Sequence, residues 1–343
     1  RSSDLVELLL GAGLLLLPQL SVRLFAVVVA VYLTLLVTVE AVNAILYGRM
    51  RRWGAFFPAM AAAAGGTGLF VLIVFVPALR DAALRYTAAL LLTVFGTGLV
   101  CDVLALTIRS HRVRRVLGSI RVALPDLMSL FLPQRTADVL PRAPLGPVPQ
   151  RGTEEFELLF QTSAHGIGLV GHCELCFDGR TLTYGAYDPV HQRLLRTAGA
   201  GIVFSAPREP YLRWCIGTHH RRVISYSLRL PPAQAAQLRA ELERFRQTLS
   251  PWQPEALPED CFAGRLRRLG GVRFWRVQRG PYATYFIPTI NCVSLTNKLL
   301  EKTDIGRTVM LGLKTPGAYL DLLEREYLAG NPAVTARRVY DKI

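Results

Sequence analysis

The sequence predicts a two-part protein, an α-helical transmembrane bundle of about four spans followed by an α+β domain. Three observations carry this expectation. Hydrophobic residues make up 51% of the 343, and the excess sits in the first third. The first 106 residues hold seven arginines, no lysine and five carboxylates, so nearly all of the net charge of +15 falls after them. Beyond residue 154 the apolar pattern shortens from stretches of spanning length to brief runs bounded by Gly, Pro and Asp turn signals. The expected organisation is a membrane part over 1–108, a basic helix and proline-rich linker over 109–153, and the α+β domain over 154–343.

Four apolar segments can be read, at 5–17, 22–46, 55–76 and 88–108. Crossing the hydrocarbon takes ~20 residues, so the last three qualify. The first is short, ends at Pro18 and is marginal as a span unless residues before Arg1 extend it. Helices are the expected state, because each pairs its own backbone groups inside lipid. Small residues gather at 59–66, which suits close helix packing. Arg49, Arg51 and Arg52 follow the second span and Arg109, Arg112, Arg114 and Arg115 the fourth, whereas the other turns carry Arg23 and then Arg80, Asp81 and Arg85. The positive-inside rule places the richer pair, and both ends of this chain, in the cytoplasm. Glu40, Asn43 and Asp102 fall within spans, where they line a substrate or ion path or else clamp helices together. The repeated hairpin, with Pro18 and Pro77 near its turns, resembles small bacterial membrane proteins of the HdeD type over residues 5–108. That likeness implies a multi-pass module of a bacterial cytoplasmic membrane and no chemistry.

Residues 116–132 carry Val116, Leu117, Ile120, Leu124, Leu127, Met128 and Phe131 in a helical stripe interrupted by Pro125. An interfacial helix would bury that stripe and leave Arg112, Arg114, Arg115 and Arg121 for lipid headgroups; the alternative is a helix packed on the following domain. Residues 133–153 contain five prolines and read as an extended linker.

Strands are expected at 156–162, 167–177 and 182–187, separated by Asp178-Gly179 and Asp188-Pro189, and again at 223–230, 272–277 and 284–287. After Pro231-Pro232 an amphipathic helix places Leu238, Leu242, Phe245 and Leu249 on one stripe. A further helix opens at Cys292, with Leu295, Leu299 and Leu300 at helical spacing.

Six cysteines, at 101, 173, 176, 215, 261 and 292, form no dense framework and fit free thiols. Cys292 is the candidate nucleophile, because the amides and dipole of a helix start favour a thiolate and lower its pKa; the alternative is a small buried hydrophobe. His172 is the candidate base, on a strand that reverses at Asp178-Gly179 into the strand holding Tyr184, its candidate orienting partner. The Cys292 amide, with Asn291, is the candidate oxyanion support. Cys173 and Cys176 have C-x-x-C spacing without a second ligand pair, so no metal is expected, nor any cofactor. His165 reads as a strand-entry residue and His219-His220, beside Arg221-Arg222, as a solvated basic turn. The basic residues lack the aromatic interleaving of a single-stranded nucleic-acid binder.

The order of a strand histidine, a hairpin and a late Asn-Cys at a helix start resembles the circularly permuted papain-like thiol enzymes. These include the NlpC-like and lecithin:retinol acyltransferase-like families. Gly171-His172, Tyr184-Gly185, Tyr285-Phe286 and Asn291-Cys292 are more similar still to Lnb-type lipoprotein N-acyltransferase domains, over residues 155–325. The resemblance implies a papain-like fold and a thioester acyl-enzyme on Cys292. It also implies a phospholipid or other acyl-lipid substrate and a lipoprotein amino terminus as acceptor, with phospholipid remodelling or hydrolysis as the inward-facing variant. Rival readings are an NlpC-like cell-wall peptide amidase and a non-enzymatic membrane sensor or scaffold. Two departures stand: Tyr184 replaces a histidine of the retinol acyltransferase-like pattern, and Lnb-type domains act outside the membrane, whereas the arginine loops point inside.

Overall fold

A computed structural model describes residues 18–107, 121–122, 132–145, 155–163, 171–194, 197–253, 258, 261–303, 305, 310–311 and 315–341. The chain divides into two compact units, Arg1–Gly96 and Thr97–Ile343.

Three helices lead: α1 (Pro18–Arg49), α2 (Trp53–Phe75) and α3 (Pro77–Thr107), the last running past the boundary at Gly96. Val22–Arg49 and Trp53–Phe75, with mean hydropathies of 2.4 and 1.9, are long and apolar enough to cross a membrane. Val27, Val28, Leu35, Phe57 and Phe75 are exposed on them, a surface suited to lipid and not to water. α1 and α2 approach closely, since a Cβ on Gly66 would stand 2.9 Å from Val37 Cγ2. Arg80 donates from Nε to Ile73 O (2.7 Å) and from Nη2 to Val74 O (3.1 Å), satisfying carbonyls that the end of α2 leaves without intrahelical partners.

The helix expected from 88 begins at Pro77, because proline suits a helix start and the Ala- and Leu-rich turns after it favour helix. Arg80, Asp81 and Arg85 therefore lie in its first turns and not in a loop. Asn43 is buried and donates through Nδ2 to Glu40 Oε2 of its own helix at 3.3 Å. The stretch 5–17, Arg109, Arg112, Arg114, Arg115, His165 and the side chain of Asp102 lie outside the described residues.

The helix expected over 116–132 is extended where it is described: Arg121–Val122 (β1) runs parallel to Met310–Leu311 (β11). Arg121 thus belongs to a strand pair and not to an interfacial helix, and Pro125 is incompatible with an unbroken helix there. Conversely, part of the expected linker is helical, Leu132–Val139 (α4). Pro133 occupies its first turn, where a missing N–H is harmless, and Ala137 joins the core of the second unit.

That unit is an α+β domain. β2 (Glu155–Thr162), β3 (His172–Phe177), β4 (Arg180–Gly185), β6 (Ile202–Pro207), β7 (Arg222–Arg229), β8 (Leu249–Pro251), β9 (Arg273–Val277) and β12 (Val334–Tyr340) form one antiparallel sheet in the order 12-7-2-3-4-6-9-8. A short pair, β5 (Ala198–Ala200) and β10 (Thr284–Phe286), stands apart from it. Period-two alternation assigns the faces. Phe156, Leu158, Phe160, Cys173, Leu175, Tyr184 and Tyr226 lie on one, packed with α4, α6 (Pro232–Arg246), α8 (Cys292–Leu300) and α9 (Pro316–Leu328). Leu159, Cys176, Phe204 and Val223 lie on the other, with α5 (Arg208–His219) and α7 (Phe262–Arg267). Covered on both sides, β6 is apolar without alternation, which is why the sequence pattern does not mark it.

The β3–β4 hairpin turns at Asp178 (φ 48°) and Gly179 (φ 70°), a left-handed pair that suits a tight two-residue turn. Register is thereby set at Phe177↔Arg180, Cys176↔Thr181 and Leu175↔Leu182. The paired ladder stops there, while both strands continue to His172 and Gly185.

Candidate active site

Cys292 is the first residue of α8, and its position is set by a capping box. Asn291 Oδ1 accepts from the Ser294 N–H (2.9 Å) and Ser294 Oγ accepts from the Asn291 N–H (2.9 Å). Asn291 Nδ2 donates to Ile287 O at 2.7 Å. Both ends of the Asn291 side chain are thus engaged in building the helix start. The donors that bear on Cys292 Sγ are backbone N–H groups: that of Cys173, at 3.4 Å, and those of Val293 and Cys292 itself.

These amides pull the thiol pKa down, but burial outweighs them and pushes it up to about 11. The expectation of a lowered thiol pKa is therefore reversed in this geometry, because the helix start lies inside the core and not at its rim. Cys173 Sγ is 4.0 Å from Thr296 Oγ1, on the same helix.

The thiol meets β3 where the β3–β4 ladder has ended, beside the Cys173 amide. His172 is the adjacent residue, and alternation sends its side chain to the opposite face. Its Nε2 lies 2.6 Å from Thr183 Oγ1, 3.1 Å from Tyr187 OH and 4.0 Å from Glu174 Oε1. Burial, with the Arg221 guanidinium, pushes its pKa down to about 3. No hydrogen bond joins His172 to Cys292 among the described residues.

Tyr184 does not orient His172. It lies on the Cys292 face, donating to Tyr282 O (2.9 Å) and Thr284 O (3.2 Å), with its ring edge-on to Tyr285. Thr183 and Tyr187 hold the position expected of it.

Behind the histidine stands a buried polar cluster. Glu174 Oε1 accepts from Tyr211 OH (2.6 Å) and Oε2 from Gln161 Nε2 (2.8 Å), while Gln161 Oε1 accepts from Arg221 Nη1 (2.7 Å). Burial raises the Glu174 carboxyl to about 7 against these bonds. Glu174, Gln161 and Tyr211 carry no motif. The signal available for Glu174 was parity alone, since it lies two residues from His172 on the same strand face.

Cys173 and Cys176 also obey parity, their side chains packing on opposite faces. Among the described residues no group of three or more His, Cys, Asp or Glu side chains is arranged to hold a metal. His219, expected in a solvated turn, is half-buried edge-on to Trp214 (4.2 Å), and burial lowers its pKa to about 4. Its helix continues to that residue and stops at His220, whose left-handed φ of 49° forms the cap.

Set against protein-family models, curated proteins and solved structures, the chain matches none. What the fold and the site define is a class: an α+β domain with a buried thiol at a capped helix start, in a chain with two helices able to cross a membrane.

Proposed function

We propose that this is a multi-pass protein of the bacterial cytoplasmic membrane whose α+β domain, of papain-like type, is a thiol acyltransferase or hydrolase acting on lipid acyl groups. The observation that carries the reading is a thiol among the backbone amides of a capped helix start that also accepts the Cys173 N–H, at 3.4 Å, at the end of the strand bearing His172. Such donors suit a developing negative charge on sulfur or on an adjacent carbonyl oxygen. In this reaction His172 takes the Cys292 proton as sulfur adds to an ester carbonyl, with the oxyanion facing the backbone amides. The carbon–oxygen bond then breaks, and the alcohol leaves with the proton from His172. A thioester remains. An amine or water attacks it, giving an amide or a free acid and restoring the thiol. Because the ring and the thiol stand on opposite faces of β3, this step requires the His172 side chain to swing round the end of the hairpin, where the β3–β4 ladder has stopped. The setting supplies the substrate class: a membrane-anchored domain meets acyl lipid at the bilayer surface, and a lipoprotein amino terminus or water is the acceptor.

The test is incubation of the full chain in detergent with an alkyne-tagged palmitoyl thioester. The reading expects a hydroxylamine-sensitive adduct on Cys292 that Cys292→Ala abolishes and His172→Ala slows by at least ~100-fold. An adduct independent of Cys292, or none, rejects it. One observation favours a second reading, a structural thiol in a sensor or scaffold: burial leaves Cys292 protonated at neutral pH. In that case the thiol stays inert to the probe and Cys292→Ala folds as wild type.

A further inference from the structure

We propose that the loop tip of residues 189–194 is an interfacial anchor, inserting Val190 and Leu194 among the acyl chains of an anionic bilayer with Arg193 at the level of the lipid phosphates. The use of the anchor, to bring the Cys292 helix start to membrane-borne acyl donors, rests on the thiol reading above. The anchor itself does not.

After α3, the large apolar side chains exposed among the described residues are Val139, Val190, Leu194 and Leu328. Val139 and Leu328 each end a helix, whereas Val190 (71% exposed) and Leu194 (55%) share one short loop. A lone exposed leucine is ordinary. Leu194 is not, because its φ of 49° is left-handed, a conformation that crowds a bulky side chain and suits Gly or Asn. The other described non-glycine residues with positive φ are Arg51, Asp178 and His220, so Leu194 is the one aliphatic among them. Strain of this kind persists where surrounding bonds impose it, and both flanks of the tip do so. Leu194 O accepts from the Thr197 N–H (3.1 Å) and from Thr197 Oγ1 (2.6 Å), and Arg193 and Ala198 exchange backbone bonds of 2.8 and 3.2 Å. On the other flank Asp188, 3% exposed, accepts from the Val190 N–H (3.1 Å), His191 Nδ1 (2.7 Å) and Arg276 Nη2 of β9 (2.5 Å).

Charge and position name the partner. Asp188 is turned inward and no carboxylate follows it in the sequence until Glu209, while Arg193 is exposed beside Leu194. Aliphatic side chains next to a cation fit the boundary between acyl chains and anionic headgroups. The chain also holds two helices able to cross a membrane, so a bilayer is the surface at hand. A hydrogen-bonded path joins the tip to the site. Thr197 O accepts from the Ile287 N–H (2.9 Å), Ile287 O accepts from Asn291 Nδ2 (2.7 Å), and Asn291 caps the helix that Cys292 opens.

The experiment places an environment-sensitive nitrobenzoxadiazole label on Val190→Cys, or on Leu328→Cys as the control, in the full chain in nanodiscs of phosphatidylcholine and phosphatidylglycerol. The unsubstituted chain supplies the background from its own cysteines. Nitroxide groups on the lipid acyl chains are expected to quench the label at 190 and not the one at 328, and Arg193→Glu to reduce that quenching. Equal quenching at both positions, or none at 190, overturns the anchor. A label at 190 shielded from aqueous iodide yet unquenched by nitroxide means a protein contact, such as a second copy of the chain, and also overturns it. Leu194→Asn separates an anchor from a structural residue: it suits the left-handed backbone, so the unfolding temperature in detergent should hold or rise while quenching falls. The ratio of Cys292 acylation from a membrane-borne palmitoyl donor to that from a soluble acetyl thioester should fall about tenfold in the double variant Val190→Asn, Leu194→Asn. Absence of any Cys292 adduct while the label at 190 is quenched overturns the thiol reading and leaves the anchor standing.

Discussion

His172 and Tyr184 stand on opposite faces of one hairpin. Phe177 faces Arg180 across the two-residue Asp178-Gly179 turn, so residues sharing a face differ by an odd number. His172 and Tyr184 differ by twelve; Thr183, eleven away, is the residue that reaches the ring. Tyr184→Phe is accordingly expected to cost about 1 kcal/mol of stability, from its two carbonyl contacts, and to leave the pH profile of Cys292 labelling unchanged. Thermal unfolding with the labelling profile checks both, and a shifted profile would count against the assignment.

The environment of Cys292 makes a second prediction. Its proton is held more tightly in the folded chain than in the unfolded one, where a thiol titrates near ~8.5. Iodoacetamide alkylation of the native protein should therefore rise about tenfold per pH unit until the pKa of about 11. The stability this group contributes is intact below the unfolded pKa and lost as pH rises through the folded one. A labelling midpoint near neutrality in the substrate-free protein would contradict the burial argument.

Asn291 is expected to behave as a cap. Asn291→Ala should destabilise by about 1 kcal/mol, whereas Asn291→Ser and Asn291→Asp, which cap as well, should retain both stability and acylation rate. A loss of ~100-fold or more in rate with Asn291→Ser, at unchanged stability, would instead assign its amide to the oxyanion.

The contact of Gly66 with Val37 predicts a compensating pair. Gly66→Ala brings a methyl to 2.9 Å from Val37 Cγ2 and should lower the unfolding temperature in detergent. Val37→Ala in the same chain should recover most of the loss. Failure of the double variant to recover would mean that α1 and α2 do not meet at this point.

The side of the membrane is open to a direct measurement. Arginines crowd the turn at Arg49, Arg51 and Arg52, and the positive-inside rule expects that turn in the cytoplasm. Arg51→Cys should react with an impermeant maleimide only after the cells are opened. Reaction in intact cells would place the turn outside and reverse the inferred orientation.

The sequence was informative wherever a signal was local. Asp178-Gly179 marked the hairpin, Pro231-Pro232 the start of α6, and Asn291-Cys292 a helix start that the capping box with Ser294 bears out. The same locality misled where proline was counted without its position: Pro133 opens α4 instead of extending a linker. The strand β6 was illegible for another reason, because burial on both faces erases the alternation that marks a half-exposed strand.

By itself, then, the sequence determined the apolar helices, the hairpin and the thiol at a helix start, whereas it paired His172 with Tyr184, which the register of the hairpin puts on the other face. Only the tertiary structure decided what surrounds them. It joined Cys173 to Cys292 across 119 residues, brought Gln161, Tyr211 and Arg221 behind Glu174, and turned Tyr184 to the backbone of Tyr282 and Thr284. It also reversed the expected shift of the thiol. Hydrogen bonds from a helix start are set by a few neighbouring residues and can be read locally, whereas desolvation depends on every element packed around the group.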